Sequence, residues 1–302
     1  MKEIQQMRIR FTGAIVALAG AAVVALAVMP IAGQAPQGGR AGGRGAGAAA
    51  PAAPAAQAAR PAAARPARIA GKPNMNGIWQ AMGTAYWNLE DHSASATQFW
   101  QLGAIGAIPA GQSVVSDPAN GVIPYTPAGL KKRDELRAGW PKSDPEAKCY
   151  MAGIPRSNLM PYPFQIVQGQ KDILFVYEYA SSNRIVHMSN HTEAPVDSWM
   201  GWSNGKWDGD TLAITVNGFN DQTWFDRSGN HHTEALTVDE RFTMQGENVL
   251  LYEATMTDPK TFTRPWKIRV PLYRRLEPNV QLLEFKCVEF SEELLYGDLK
   301  KK

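Results

Sequence analysis

His232, Glu234 and Glu240 are the residues of this sequence best spaced for proton transfer. In the run Ala235 to Met244, Leu236, Val238 and Phe242 share one parity, and Glu240 shares it too. Alternate residues of a strand point to one face, so this pattern predicts an inward carboxylate. Extending the strand backwards brings His232 and Glu234 onto the same face. A desolvated carboxylate beside an imidazole has its proton affinity moved by burial and by its neighbour, which suits general acid and base work. The architectural alternative is an inward Glu paired with an inward Arg, an arrangement that perturbs proton affinity just as well.

A second pairing rests on the hairpin around Ser181-Ser182. A two-residue turn there sets Glu178 opposite Ile185, with His187 as its diagonal neighbour on the side lined by Leu174 and Val176, so the two would meet inside one wall. Trp199, Trp202, Trp207 and Trp224 cluster on turns and strand ends. They serve either as core or as the rim of a site for a flat, apolar ligand. His187, His191, His231, His232 and Glu234 contain metal-ligand types. Strand-mates four apart lie ~13 Å apart, too far for one ion, so no metal is expected. No cofactor is expected either. Gly201-Trp202-Ser203-Asn204-Gly205 spells G-x-S-x-G, and Asp210 or Asp226 followed by His232 supplies a Ser, Asp, His order. A nucleophile elbow needs a strand, a sharp turn and then a helix, whereas the chain here runs on into another turn and strand, so a Ser hydrolase using Ser203 is the lesser reading.

The elements that must position these groups are mostly strands. Leu212, Ile214 and Val216 alternate with polar residues, as do Trp266, Ile268, Val270 and Leu272. Further runs lie at 77–82, 164–168, 173–179, 184–189, 235–244, 249–256 and 281–289, separated by turn chemistry at Gly169-Gln170, Asn204-Gly205, Asp208-Gly209, Gly246-Glu247 and Pro278-Asn279. One helix is expected over 127–138, with Thr126 as N-cap, Pro127 at its first position and Gly139 ending it. The expected fold is all-β and mainly antiparallel. It is a meander closing into a lipocalin-like barrel or strongly curled sheet, with one short helix and a long irregular N-terminal part.

Charge divides the chain. Nine of its 31 basic residues but one of its 28 acidic residues fall in residues 1–72, leaving that stretch +8 and the remainder −5. The acidic remainder excludes a basic nucleic-acid-binding domain. Lys2, Arg8 and Arg10 precede an uncharged run from Phe11 to Gly33. Residues 1–35 therefore read as a cleaved signal peptide or, at that length, as a membrane anchor. Residues 36–72 are mostly Ala, Gly, Pro, Gln and Arg and read as a disordered linker. Residues 73–302 are expected to form one β-rich domain, periplasmic or extracellular, held to the inner membrane through residues 11–33 if that run is an anchor. Cys149 and Cys287 are the only cysteines. An oxidising compartment favours a bond between them, while the parity of Cys287 with Leu283 and Phe285 also permits a buried thiol.

Several motifs together resemble a known group. They are Asp144-Pro145 with Cys149, Gly153, Pro155 and Arg156; Trp199-x-Gly201-x-Ser203-x-Gly205-x-Trp207-x-Gly209-Asp210-Thr211-Leu212; Asn220-Asp221-x-Thr223-Trp224; His232 to Leu236 leading to Glu240-Arg241-Phe242; Asp258-Pro259-Lys260 to Pro265-Trp266; and Leu283-Glu284-Phe285-x-Cys287. Over roughly residues 76–290 the chain resembles a large family of exported, β-rich bacterial proteins, abundant in acidobacteria and other environmental bacteria. The resemblance implies export and a β-rich domain, and carries no established reaction. The chain departs from the commoner pattern at Met151-Ala152 and at Val288-Glu289-Phe290.

The leading expectation is an exported barrel that binds an apolar or aromatic small molecule. Arg184, His187, Glu178 and the four Trp residues would make its contacts, and metal-independent acid/base chemistry of the lyase, hydratase or isomerase type would use His232, Glu234 or Glu240. The rival is a non-catalytic structural or interaction module of the envelope. A cavity reached from the Trp cluster favours the first, and a lumen filled by its own side chains favours the second.

Overall fold

A computed structural model describes residues 66–93, 108 and 110–289. The expected leader, residues 1–35, and residues 36–65 of the expected linker lie outside the described residues. Residues 66–73 carry two very short strands, β1 (Arg68–Ile69) and β2 (Lys72–Pro73), paired as a hairpin, so the end of the expected linker is ordered. Next come β3 (Gly77–Ala81), β4 (Val115–Asp117), α1 (Pro127–Ala138) and the single turn α2 (Arg156–Leu159). The remaining strands are β5 (Phe164–Gln168), β6 (Asp172–Tyr177), β7 (Asn183–His187), β8 (Trp202–Asp208), β9 (Thr211–Asn217), β10 (Thr237–Met244), β11 (Val249–Thr257) and β12 (Trp266–Arg274).

Neighbours in the sheet run β3, β5, β6, β7, β8, β9, β10, β11, β12, and β12 pairs back onto β3. The sheet therefore closes into a barrel of nine strands, with β4 as an extra strand on β12. All the barrel pairings are antiparallel except β7 with β8, which run parallel because residues 188–201 cross back between them. Closure removes the free sheet edges that invite association. Among the described residues no helix is long and apolar enough to cross a membrane.

Period-two alternation fills the lumen. Ile173, Phe175 and Tyr177 of β6 point inward, as do Leu212, Ile214 and Val216 of β9, Val238 and Phe242 of β10, and Leu250, Tyr252, Ala254 and Met256 of β11. Their rings touch across the interior: Phe175 to Phe242 at 5.4 Å between centroids, and Phe242 to Tyr252 at 4.8 Å. The interior is a packed core built from these side chains, which answers to the filled-lumen alternative.

The registers sort the strand ends. One end of the barrel carries the β8–β9 and β10–β11 turns together with the start of β3 and the end of β12. At the other, α1 and α2 are woven into the chain's long irregular segments. Helix α1 starts as its residues dictate, with the Thr126 side chain accepting from the Gly129 amide at 3.1 Å. Segment 281–289, expected as a strand, has no ladder partner among the described residues and runs as irregular chain. Asn204-Gly205, expected as a turn, lies in the middle of β8. The glycine serves close packing there, since a Cβ on Gly205 would sit 2.4 Å from Val186 Cγ1.

Candidate functional site

Glu240 points into the lumen, and every position around it is taken. Its carboxylate accepts from Arg184 Nη1 at 2.6 Å and Nη2 at 3.2 Å, from Asn158 Nδ2 at 3.0 Å and from the Tyr252 hydroxyl at 2.8 Å. Asn158 comes from α2 and in turn accepts from the Tyr177 hydroxyl at 2.9 Å. Burial pushes the Tyr177 and Tyr252 hydroxyls well up, so both remain protonated donors. The Arg184 guanidinium stacks 4.6 Å over the Phe175 ring and reaches Ser203 Oγ at 3.4 Å. Of the two anticipated uses of an inward Glu240, the geometry is that of the ion pair. Ser203, 2% exposed on the inner wall of β8, is likewise covered.

His232 and Glu234 do not join Glu240. Strand β10 begins only at Thr237, and a turn closed by the Leu236 amide on the Thr233 carbonyl breaks the parity before it. Glu234 lies half exposed and pairs with Lys260. His232 is buried between the Phe219 and Phe225 rings, at 5.7 and 5.3 Å. Its Nδ1 meets the Thr233 carbonyl at 2.8 Å and its Nε2 meets Thr223 Oγ1 at 2.6 Å. A carbonyl can only accept, so Nδ1 carries the proton and Nε2 accepts from the threonine. Burial lowers this imidazole to about 4, so it stays neutral at ordinary pH. The expected three-residue acid/base group is therefore three separate environments.

Nearby, Asp226 is buried, and among the described residues no cation is bonded to it. Its carboxylate accepts from the Leu89 amide at 2.8 Å, the Ser228 amide at 2.9 Å and Asn230 Nδ2 at 2.6 Å. Burial raises it to about 6 despite these donors. A second charged cluster ties the segments at this end of the barrel. Arg156 of α2 donates to both oxygens of Asp144, at 2.9 and 3.0 Å, and also to Glu146. Glu146 further accepts from Arg227 at 2.9 and 2.6 Å. Burial acts to raise Glu146, but Arg156 and Arg227 outweigh it and hold the carboxyl below its ordinary value. Cys149 and Cys287 are bonded, with Cα atoms 5.8 Å apart. The bond tethers the irregular C-terminal segment, where the Leu283 amide donates to Glu178 at 2.8 Å and Phe285 packs on Tyr162 and Tyr179.

The Glu178 and His187 pairing does not form. Residues 179–181 make a helical turn, so Val176 pairs with Asn183 and His187 pairs with Asp172. The face they were expected to share is the outer wall, where Ile185 is 50% exposed. His187 stacks there on Trp202 at 4.4 Å and lies 3.9 Å from Asp172. The four Trp residues do not form one rim. Trp199 stacks on Tyr150 at 4.9 Å, Trp202 lies outside the wall, Trp224 is buried beside His231, and Trp207 packs against the core at the far end of β8.

Beside Trp207 lies a feature no residue pattern announced. The β1–β2 hairpin stands over the end of the barrel that carries the β8–β9 and β10–β11 turns. Between them runs an open cleft of about 680 Å³. Pro66, Ala67, Pro73 and Met244 give it apolar surface, and Asn74, Asn248, Asp210 and Arg68 give it polar groups. Arg68 reads in sequence as one more charge of the linker. Only folding brings it to Asp210, 142 residues on, and spacing carries no signal of that. Among the described residues no group of three or more His, Cys, Asp or Glu side chains could hold a metal ion. In comparisons with known proteins, the chain matches no family model and no curated protein.

Proposed function

We propose that this is an exported β-barrel that binds a small, largely apolar molecule in the cleft at its turn-bearing mouth, outside the lumen. The observation that carries this reading is the cleft, about 680 Å³, whose mainly apolar surface is flanked by the charged Arg68, Asp210, Glu247 and Arg274. Ligand sites have that size and make-up, and barrel mouths are a usual place for them. Export rests on the basic residues Lys2, Arg8 and Arg10 ahead of the apolar run from Phe11. Acid/base catalysis draws no support from the separate environments of His232, Glu234 and Glu240.

The test is a titration of the full chain with 1-anilinonaphthalene-8-sulfonate, an apolar fluorescent probe, in parallel with thermal unfolding. Saturable binding is expected, and Ala67→Trp, which fills the cleft from an exposed position, should abolish it without changing Tm. Absence of saturable binding, or binding indifferent to Ala67→Trp, overturns the reading. The packed lumen favours a second reading, a non-catalytic interaction module of the envelope, and that outcome would leave it standing.

A further inference from the structure

We propose that the β1–β2 hairpin is a movable wall of the mouth cleft, latched by the Arg68–Asp210 ion pair, and that it controls entry to the site proposed above. The inference rests on that reading for its ligand, and on the hairpin's own attachments for its mechanics.

Among the described residues the two strands pair only with each other, Arg68 with Pro73 and Ile69 with Lys72. No ladder joins them to the barrel. Side chains hold them instead. Arg68 donates to both carboxylate oxygens of Asp210, at 3.1 and 2.5 Å, and its other donor contacts fold back on the Gly71 carbonyl within the hairpin. Lys72 donates to the Gly209 carbonyl at 2.9 Å and sits 5.8 Å over the Trp207 ring. Both anchors therefore land on the one β8–β9 turn. Arg68, from the hairpin, and Asp210, from the β8–β9 turn, both line the cleft, so the ion pair joins the two elements that bound it.

The hairpin is closed on itself and can move as a unit. The Asn74 amide donates to the Ala67 carbonyl at 3.0 Å, and Asn74 Nδ2 donates to the Pro66 carbonyl at 2.7 Å. Its tip, Ala70-Gly71, has positive φ at both residues, 47° and 76°, which makes the reversal tight. Beyond Pro73 the chain is fixed, since the Met75 amide donates to buried Gln168 and Trp79 lies in the core. Apart from Pro73, buried at the root where β2 meets the fixed chain, the unit is held to the barrel by the Arg68 and Lys72 side chains on one turn, and such a unit opens at low free energy, as mobile site walls do. An exposed ion pair shifts such an equilibrium by roughly two- to fivefold, and salt weakens it.

The experiment compares the full chain, Asp210→Asn and the outer-wall control Asp239→Asn. Tryptic cleavage at Arg68-Ile69, followed by mass, reads the latch without any ligand. Stopped-flow binding of 1-anilinonaphthalene-8-sulfonate reads the gate. Asp210→Asn should speed cleavage by roughly two- to fivefold and raise the association and dissociation rates together. In the full chain and the control, added NaCl should do the same, and it should have little effect on Asp210→Asn. Cleavage unchanged by Asp210→Asn overturns the latch. Faster cleavage with an unchanged association rate, or a change confined to dissociation, overturns the gate. Failure of the probe to bind at all overturns the ligand reading instead, while the cleavage arm still decides the latch.

Discussion

Arg184 and Glu240 face each other inside the barrel as a two-pronged ion pair, with contacts of 2.6 and 3.2 Å and side chains exposed by 2% and 0%. They join β7 to β10 across the lumen, with Asn158 and Tyr252 completing the carboxylate's shell. Desolvating both charges is expensive, and the surrounding donors are what make the arrangement tolerable. Arg184 Nε has no hydrogen-bond partner, so the guanidinium's remaining edge rests on packing against Phe175.

Removing one partner should therefore be far worse than removing both. Glu240→Ala, which strands a buried guanidinium, is expected to lower stability by about 3–5 kcal/mol. The double replacement by Leu should lose much less. Urea denaturation of both single variants and the double variant gives the coupling, and simple additivity would show that the pair is not acting as a unit.

His232 and Asp226 make opposite contributions to stability between about pH 4 and 6. The His232 value falls from 6.5 to about 4 on folding, so its contribution is full above 6.5 and is lost as pH falls towards 4. The Asp226 value rises from 3.8 to about 6, so its contribution is full below 3.8 and is lost as pH rises through 6. Each is worth up to about 3 kcal/mol, and the two nearly cancel in the intact chain. Relative to wild type, Asp226→Asn should make stability climb with pH over that window, and His232→Gln should make it fall. Denaturation midpoints at pH 4, 5, 6 and 7 test the signs, and parallel curves for the three proteins would refute them.

The Cys149–Cys287 bond closes a loop spanning 138 positions. In the chain-entropy picture its loss lowers stability by ~5 kcal/mol. Segment 281–289 has no ladder to hold it once the bond is gone. Cys287→Ser should lower the thermal midpoint and open that segment to protease well before the barrel itself unfolds. Equal protection with and without the bond would show that Leu283 and Phe285 suffice to anchor it.

Ser203 faces inward beneath Arg184 and is 2% exposed. A fluorophosphonate probe should not label the folded chain, and Ser203→Ala should change stability by about 1 kcal/mol or less. Labelling that disappears in Ser203→Ala would restore the hydrolase reading.

What could be read in advance followed from local rules. Thr126 and Pro127 start a helix because side-chain capping and a fixed φ act within one turn, and α1 spans Pro127–Ala138 as expected. Strand β9 follows from the alternation of Leu212, Ile214 and Val216. Expectation and structure part where a local turn resets a strand's register or parity. The helical turn at 179–181 moves His187 away from Glu178, and the turn at 233–236 ends the parity that would carry His232 to the face of Glu240. Gly205 looked like turn chemistry, and only its contact with Val186 shows that it is a packing glycine.

The sequence by itself determined the barrel's raw material: strands with one apolar face, an inward Glu240, and two cysteines that a single bond could join. Which Arg would meet Glu240, and that β12 would return to β3 and close the sheet, were decided only by the tertiary structure. Such choices depend on contacts between residues tens to nearly two hundred positions apart, whose free energy appears only after the intervening chain has been ordered. The mouth cleft belongs to the same class. Arg68 and Asp210 acquire their relationship solely because closing the barrel sets the β8–β9 turn beneath the hairpin that precedes the first barrel strand.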